Sequence, residues 1–334
     1  MSKNHAWLNL TQEEALEPDL PICDAHHHLW EYPNNRYLLE EYLEDTTRGH
    51  NIISSVFVEC LSEYLTNLPK STAPTGETKF VQRLAVKNKS KTAVAAGIVS
   101  FADLLLGDPV AEVLEAHIAM SPNRFKGIRH ACGWDASPLV RNSHTQPPKS
   151  LYLDKNFRAG FAMLSKYNLT FDAWLYHSQL GELLSLARAF PEQPIILDHV
   201  GGPLGIGPYN GKRKEILTTW KAVTKELSKC HNVVVKLGGI SMAINGFEWH
   251  KKKKPPSSEE LAEATRPYLM HCIEAFTPQR CMFESNFPVD KVSCSYNILW
   301  NSFKRITKDF SADEKCCLYQ EVATKTYNLS DSAS

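Results

Sequence analysis

The chain has 334 residues, 43% of them hydrophobic and 22% charged, and its 37 basic side chains balance 37 acidic ones. That balance excludes the basic footprint of a nucleic-acid binder and the charge asymmetry of a membrane-surface protein, and it describes an ordinary globular chain. The length suits one large domain or two smaller ones. The nine cysteines are scattered with no CxxC pair, which argues for a reducing compartment and against a disulfide framework. Residues 1–17 lack a basic start followed by an apolar stretch, and no apolar run approaches about 18 residues. Neither a secretory signal nor a membrane span is expected, and the cytoplasm is the expected location.

Residues 1–20 read as a lead-in. The pattern then changes at Pro21-Ile-Cys-Asp-Ala-His-His-His-Leu-Trp30. This is a short apolar strand with a polar end. Strand alternation puts Asp24, His26 and His28 on one face and His27 on the other, where it packs or lies at the surface. Imidazoles at i and i+2 at the end of a strand can converge on one metal ion or one substrate. With this first strand at 22–28, further apolar runs predict strands at 54–60, 93–101, 125–131, 169–176, 195–200, 233–240 and 281–287. Most are near-continuous, as in parallel strands covered on both faces.

Helical patterns fall between them at 110–119, 157–167, 179–189, 213–228 and 257–276. The last starts with Ser257 and Glu260, a capping box after Pro255-Pro256. The glycine- and proline-rich stretch 201–208 reads as a βα loop, and the lysine run 251–254 as a solvated loop. Eight strands, each followed by helical material, predict an α/β fold, a single-domain (β/α)8 TIM-like barrel over 21–330. A doubly wound sheet is the competitor. It usually carries a glycine-rich phosphate turn after its first strand, where this chain has histidines.

Barrel active sites gather at the C-terminal strand ends. There the sequence places His26 and His28, then Glu59, Arg129-His130, Tyr176-His177, Asp198-His199, Lys236, and finally Glu284-Ser285-Asn286 with Asp290 just beyond. A polar end on a buried apolar strand is costly unless paired, and its recurrence at one end favours one shared site. Each residue also has a plainer role. Arg129 bridges Glu59 or Asp135, or else holds a carboxylate. His199 is a core histidine on a carbonyl, or a site residue. His177 faces a helix or the site, and Glu59 either pairs with Lys236 or acts in catalysis. Glu284, one layer deeper than Asn286, is expected to form a structural ion pair with Lys236.

Five motifs occur in order: Asp24-Ala-His-His-His-Leu-Trp30, Phe125-Lys-Gly-Ile-Arg129, Ile196-Leu-Asp-His199-Val-Gly-Gly-Pro203, Lys236-Leu-Gly-Gly-Ile240 and Met282-Phe-Glu-Ser-Asn286-Phe-Pro-Val-Asp290. Together they resemble the amidohydrolase-related (amidohydrolase 2) family of the metallo-dependent hydrolase superfamily, in its lactonase-type branch with the pyrone dicarboxylate, fuconate and rhamnonate lactonases. The resemblance implies a distorted barrel in which His26, His28 and His199 are metal ligands or carbonyl polarisers. It also implies that Arg129 holds a substrate carboxylate or polarises a lactone carbonyl. Some members of the branch use one divalent ion and the pyrone type works without one. The family's strand 8 aspartate, a ligand or general base, is replaced here by Asn286, which accepts no proton at neutral pH and is a poor zinc ligand.

The leading expectation is a hydrolase for a small anionic cyclic ester or a related C–O or C–N bond. His26, His28 and His199 polarise the carbonyl, directly or through one zinc-like ion, and Arg129, His177 and Tyr176 bind substrate. Glu59, Asp290 or His199 activates water beside Asn286. One alternative is a metal-dependent decarboxylase. Another is a ligand-binding barrel without catalysis, favoured if Glu59 and Asp290 both point away from the pocket.

Overall fold

The computed structural model describes residues 2–329; residue 330, the expected end of the barrel, lies outside them. All eight expected strands form. They are β1 (Pro21–His27), β2 (Asn51–Val58), β3 (Ala93–Ser100), β4 (Phe125–Arg129), β5 (Thr170–Ala173), β6 (Ile195–Leu197), β7 (Val233–Leu237) and β8 (Cys281–Phe283). They pair in chain order, each parallel to the next. The ring closes past the end of β8. His27 and Phe287 form a parallel bridge, Asn286 N–H donates to His26 O (2.8 Å), and His28 N–H donates to Phe287 O (2.8 Å). Closure therefore sets Asn286 beside the histidines of β1.

A helix follows each strand: α1 (Leu39–Thr46), α2 (Thr75–Lys87), α3 (Val110–Met120), α4 (Lys155–Lys166), α5 (Leu180–Ala189), α6 (Arg213–Leu227), α7 (Ser258–Phe276) and α8 (Tyr296–Ile306). The chain is thus a single-domain (β/α)8 barrel. The capping box at Ser257 and Glu260 is present. Among the described residues no helix is long and apolar enough to cross a membrane.

Cys23, Ala25, Val56, Val58, Val99, Ile196 and Met282 form an apolar cluster with Val322, Ala323, Tyr327 and Leu329 from the C-terminal segment. That segment packs close against the sheet: a Cβ on Gly97 of β3 would lie 2.9 Å from Leu329 Cδ2. Most strands end before the polar residues expected to close them, because those residues leave the ladder to shape the mouth.

One expectation fails at β1. Asp24 pairs with Ser55 and His27 with Phe57, so β1 carries one extra residue between them. Such a bulge resets the alternation. Asp24 consequently parts from His26 and His28. It accepts from Tyr42 Oη of α1 (3.0 Å), Tyr296 Oη of α8 (3.0 Å), and Ser285 N (2.8 Å) and Oγ (2.6 Å). His27 is buried, stacked on Tyr42 at 4.1 Å.

Candidate active site

Four side chains converge where β1, β6 and the β8 extension meet. His28 Nδ1 donates to the Val58 carbonyl (2.7 Å), an obligate acceptor, so His28 Nε2 carries its lone pair. Asn286 Nδ2 donates to Asp290 Oδ1 (2.9 Å), which turns the amide oxygen the other way, 3.3 Å from His28 Nε2. Two acceptors thus face each other. His26 Nε2 lies 3.3 Å from the same His28 nitrogen and receives Arg129 Nη1 at 3.4 Å, while its Nδ1 is 3.0 Å from Glu284 Oε2. Burial first, then neighbouring cations, lowers the pKa of His26 to about 4 and that of His28 well below the usual imidazole range.

His199 is held by one carboxylate oxygen. Glu284 Oε1 accepts from His199 Nδ1 (2.6 Å) and from its backbone N–H (3.1 Å), leaving Nε2 with the lone pair. His199 and Asn286 both adopt left-handed backbone, each with φ of 54°. For residues with a side chain this costs on the order of 1 kcal/mol or more, and such strain collects at functional sites.

Below them lies a charge network that corrects the expected Lys236–Glu284 pair. Lys236 binds Asp172 Oδ2 (2.5 Å) and Asp198 Oδ1 (3.1 Å), and Glu284 instead serves His26 and His199. Tyr327 Oη also donates to Asp172 (2.7 Å). Arg129 directs four of its five N–H groups into the protein: Nε on Glu59 Oε1 (2.7 Å), Nη2 on the Glu59 carbonyl (2.6 Å), Nη1 on Asp198 (3.3 Å) and on His26 (3.4 Å). These contacts make the expected bridge to Glu59 and leave one Nη2 N–H on a residue of the cavity wall.

A cavity of about 680 Å³ opens over the cluster, with His28, Arg129, His199 and Asn286 in its wall and Trp30, Tyr32, Trp174 and Tyr176 around it. Tyr176 Oη donates to the Arg141 carbonyl. His177 is not in that wall; it packs 5.0 Å from the Tyr209 ring and accepts from Leu204 N–H at 3.3 Å. Glu59 and Asp290 are also absent from it. Each stands one side chain behind it, Glu59 behind His144 (2.8 Å) and Asp290 behind Asn286. Burial, eased by His199 and by hydrogen bonds from Ser241 and Asn286, pushes Asp290 up to about 7.

Among the wall residues that the sequence pattern does not mark are Arg141 and His144. Both come from the long loop between β4 and α4, and such a loop at this end of a barrel was the available signal. The exposed Arg141 has no ion-pair partner among the described residues. A further possible ligand set, His26, Asp198 and His199, offers donor atoms within 4.8 Å of one another. Asp198 is the weaker member, because its two oxygens already face Lys236 and Arg129.

The amidohydrolase family profile matches residues 23–329. The chain is 32% identical over 341 residues to an uncharacterized protein, y4mH, of Sinorhizobium fredii, covering 93% of this chain and 99% of that one. It is 23% identical over 324 residues to an L-fucono-1,5-lactonase of Burkholderia multivorans, covering 93% and 97%. A Burkholderia multivorans amidohydrolase structure with bound zinc superimposes with a TM-score of 0.72 at 21% identity, covering 92% of this chain and 99% of that one.

Proposed function

The chain belongs to the amidohydrolase family, and on that premise we propose that it hydrolyses a small anionic lactone at the mouth of the barrel. The observation that carries this reading is the convergence of His28 Nε2, Asn286 Oδ1 and His26 Nε2 at successive spacings of 3.3 Å. Facing lone pairs repel unless a cation or a proton lies between them. The spacing matches the edge of a tetrahedron with bonds of about 2.0–2.1 Å. His26, His28 and Asn286 therefore offer donor atoms at a spacing that fits one zinc-like ion, with His199 within 4.8 Å of His26 and the Arg129 guanidinium as the competitor there. When bound, such an ion supplies Lewis-acid polarisation of the ester carbonyl.

The chain's own groups supply the rest. Glu284 fixes the His199 tautomer, and Asp290 fixes the Asn286 amide so that its oxygen faces the site, as one oxygen of an aspartate would. Below the site, Glu59, Asp172, Asp198 and Glu284 outnumber Arg129 and Lys236 by two charges. A divalent ion balances that excess. Arg141 takes the substrate anion in place of Arg129, and the aromatic wall flanks the ring.

One observation favours a second reading, a barrel that binds without turnover: neither Glu59 nor Asp290 opens onto the cavity. A panel of lactones with and without a carboxylate, followed by proton release and by carbon dioxide evolution, separates the possibilities. Proton release from the anionic lactones is the expected result. Carbon dioxide without ring opening transfers the assignment to a decarboxylase, and binding with neither product favours the second reading.

A further inference from the structure

Building on the lactone reading, we infer that His144, positioned by the buried carboxylate of Glu59, is the proton-transfer residue of the site. His144 stands in the cavity wall with 22% of its side chain exposed, while Glu59 is fully buried behind it. His144 Nε2 donates to Glu59 Oε2 at 2.8 Å. Among the described residues its Nδ1 has no hydrogen-bond partner. With Nε2 protonated and hydrogen-bonded to Glu59, Nδ1 holds the lone pair, which is the basic position at the wall.

The dyad is braced on both sides. The other Glu59 oxygen takes Arg129 Nε at 2.7 Å, and Arg129 in turn touches His26 at 3.4 Å, which links the dyad to the carbonyl-polarising histidines. Burial alone raises the Glu59 pKa, but the Arg129 charge and the hydrogen bonds from His144 and Arg129 oppose it, and a proton on His144 lowers it further, to about 2. Glu59 therefore stays an anion, able to stabilise an imidazolium on His144. The loop that carries His144 is tied back to its own start and to Tyr176 beyond β5. Ser143 N–H donates to Gly133 O (2.7 Å), Thr145 Oγ1 donates to Ala131 O (2.5 Å), and Tyr176 Oη donates to the Arg141 carbonyl. Its position is thus fixed by the fold. The other candidates are less suited: Asp290 stands behind Asn286, and His199 is turned to the carbonyl side by Glu284.

The step balances with water alone. Water oxygen bonds to the acyl carbon as its proton passes to His144 Nδ1. The ring C–O bond then breaks, and His144 returns the proton to the leaving oxygen, giving the open hydroxy acid. Glu59 is a positioning residue: it touches only His144 and the braces behind it.

Two measurements on the intact protein decide the matter. In turnover of a lactone that the wild type opens, His144→Asn is expected to lower kcat by about a hundredfold or more, with KM nearly unchanged. It also removes one limb of the pH profile, and added imidazole partly restores the rate. An unchanged kcat and pH profile overturns the dyad while leaving lactone hydrolysis standing. Nitrogen NMR of His144, assigned with the same variant, needs no substrate. It is expected to show the Nε2-protonated form in the wild type and loss of that preference in Glu59→Gln. The Nδ1-protonated form in the wild type overturns the inference even if no lactone is opened.

Discussion

Glu77 is the buried acid whose removal is expected to stabilise the fold. On α2 it caps the turn after β2. One oxygen, Oε1, accepts from both Cys60 N–H (2.9 Å) and Ser62 N–H (2.8 Å), and the other, Oε2, has no partner. Burial first, then the nearby Glu59 charge, pushes its pKa from an ordinary 4.5 to about 8. Between those two values the unfolded chain has lost the proton that the folded protein keeps. Stability therefore falls as pH rises, by about 1.4 kcal/mol per pH unit, with a ceiling of about 5 kcal/mol above the folded value. Glu77→Gln keeps the double acceptor at Oε1 and abolishes the titration. Urea denaturation of both proteins at about pH 5 and about pH 7 is expected to show the variant's advantage growing by roughly 2–3 kcal/mol between them. An advantage that is the same at both pH values, or a variant less stable near neutrality, refutes the reasoning.

Asn286→Asp supplies the charged ligand that the cluster lacks, and is expected to raise zinc affinity about tenfold or more. Metal analysis after equilibration with limiting zinc checks it, and equal occupancy in the two proteins counts against the ligand set. Arg141→Ala is expected to raise KM about tenfold or more for a carboxylate-bearing lactone and to leave a neutral one unaffected. Equal effects on both remove Arg141 from anion recognition. Tyr327→Phe takes away the buried donor to Asp172 and is expected to cost about 1.5–3 kcal/mol of stability, read from denaturation midpoints.

The barrel was legible because its parallel strands are apolar runs covered on both faces, most of them closed by a polar residue. Those polar ends marked His26, His28, His199 and Asn286, and closure of the ring brings Asn286 to β1. What could not be seen depends on local geometry. Strict alternation put Asp24 with His26, and a single bulged residue sent it to Tyr42 and Tyr296. Lys236 is the cation expected for Glu284 because a carboxylate inside the barrel needs one and Lys236 lies on the neighbouring strand. Asp172, an acid inside an apolar strand, carried the needed signal, since a buried charge must find a partner. His144 and Arg141 lie in a loop with no periodicity, so nothing in the residue pattern says which of them turn inward. Arg129 was marked as a site residue, yet which of its roles prevails depends on carboxylates brought to it by β2 and β6.

Addition of water to an ester carbonyl is the reaction assigned to this site. Turnover of an anionic lactone in heavy-oxygen water, followed by mass spectrometry of the product, tests it directly. One labelled oxygen in the new carboxylate, a ring-opened hydroxy acid, and loss of the reaction in His28→Ala are the expected results. A product that has lost carbon dioxide and carries no label, or the absence of turnover across the anionic lactones, contradicts that assignment.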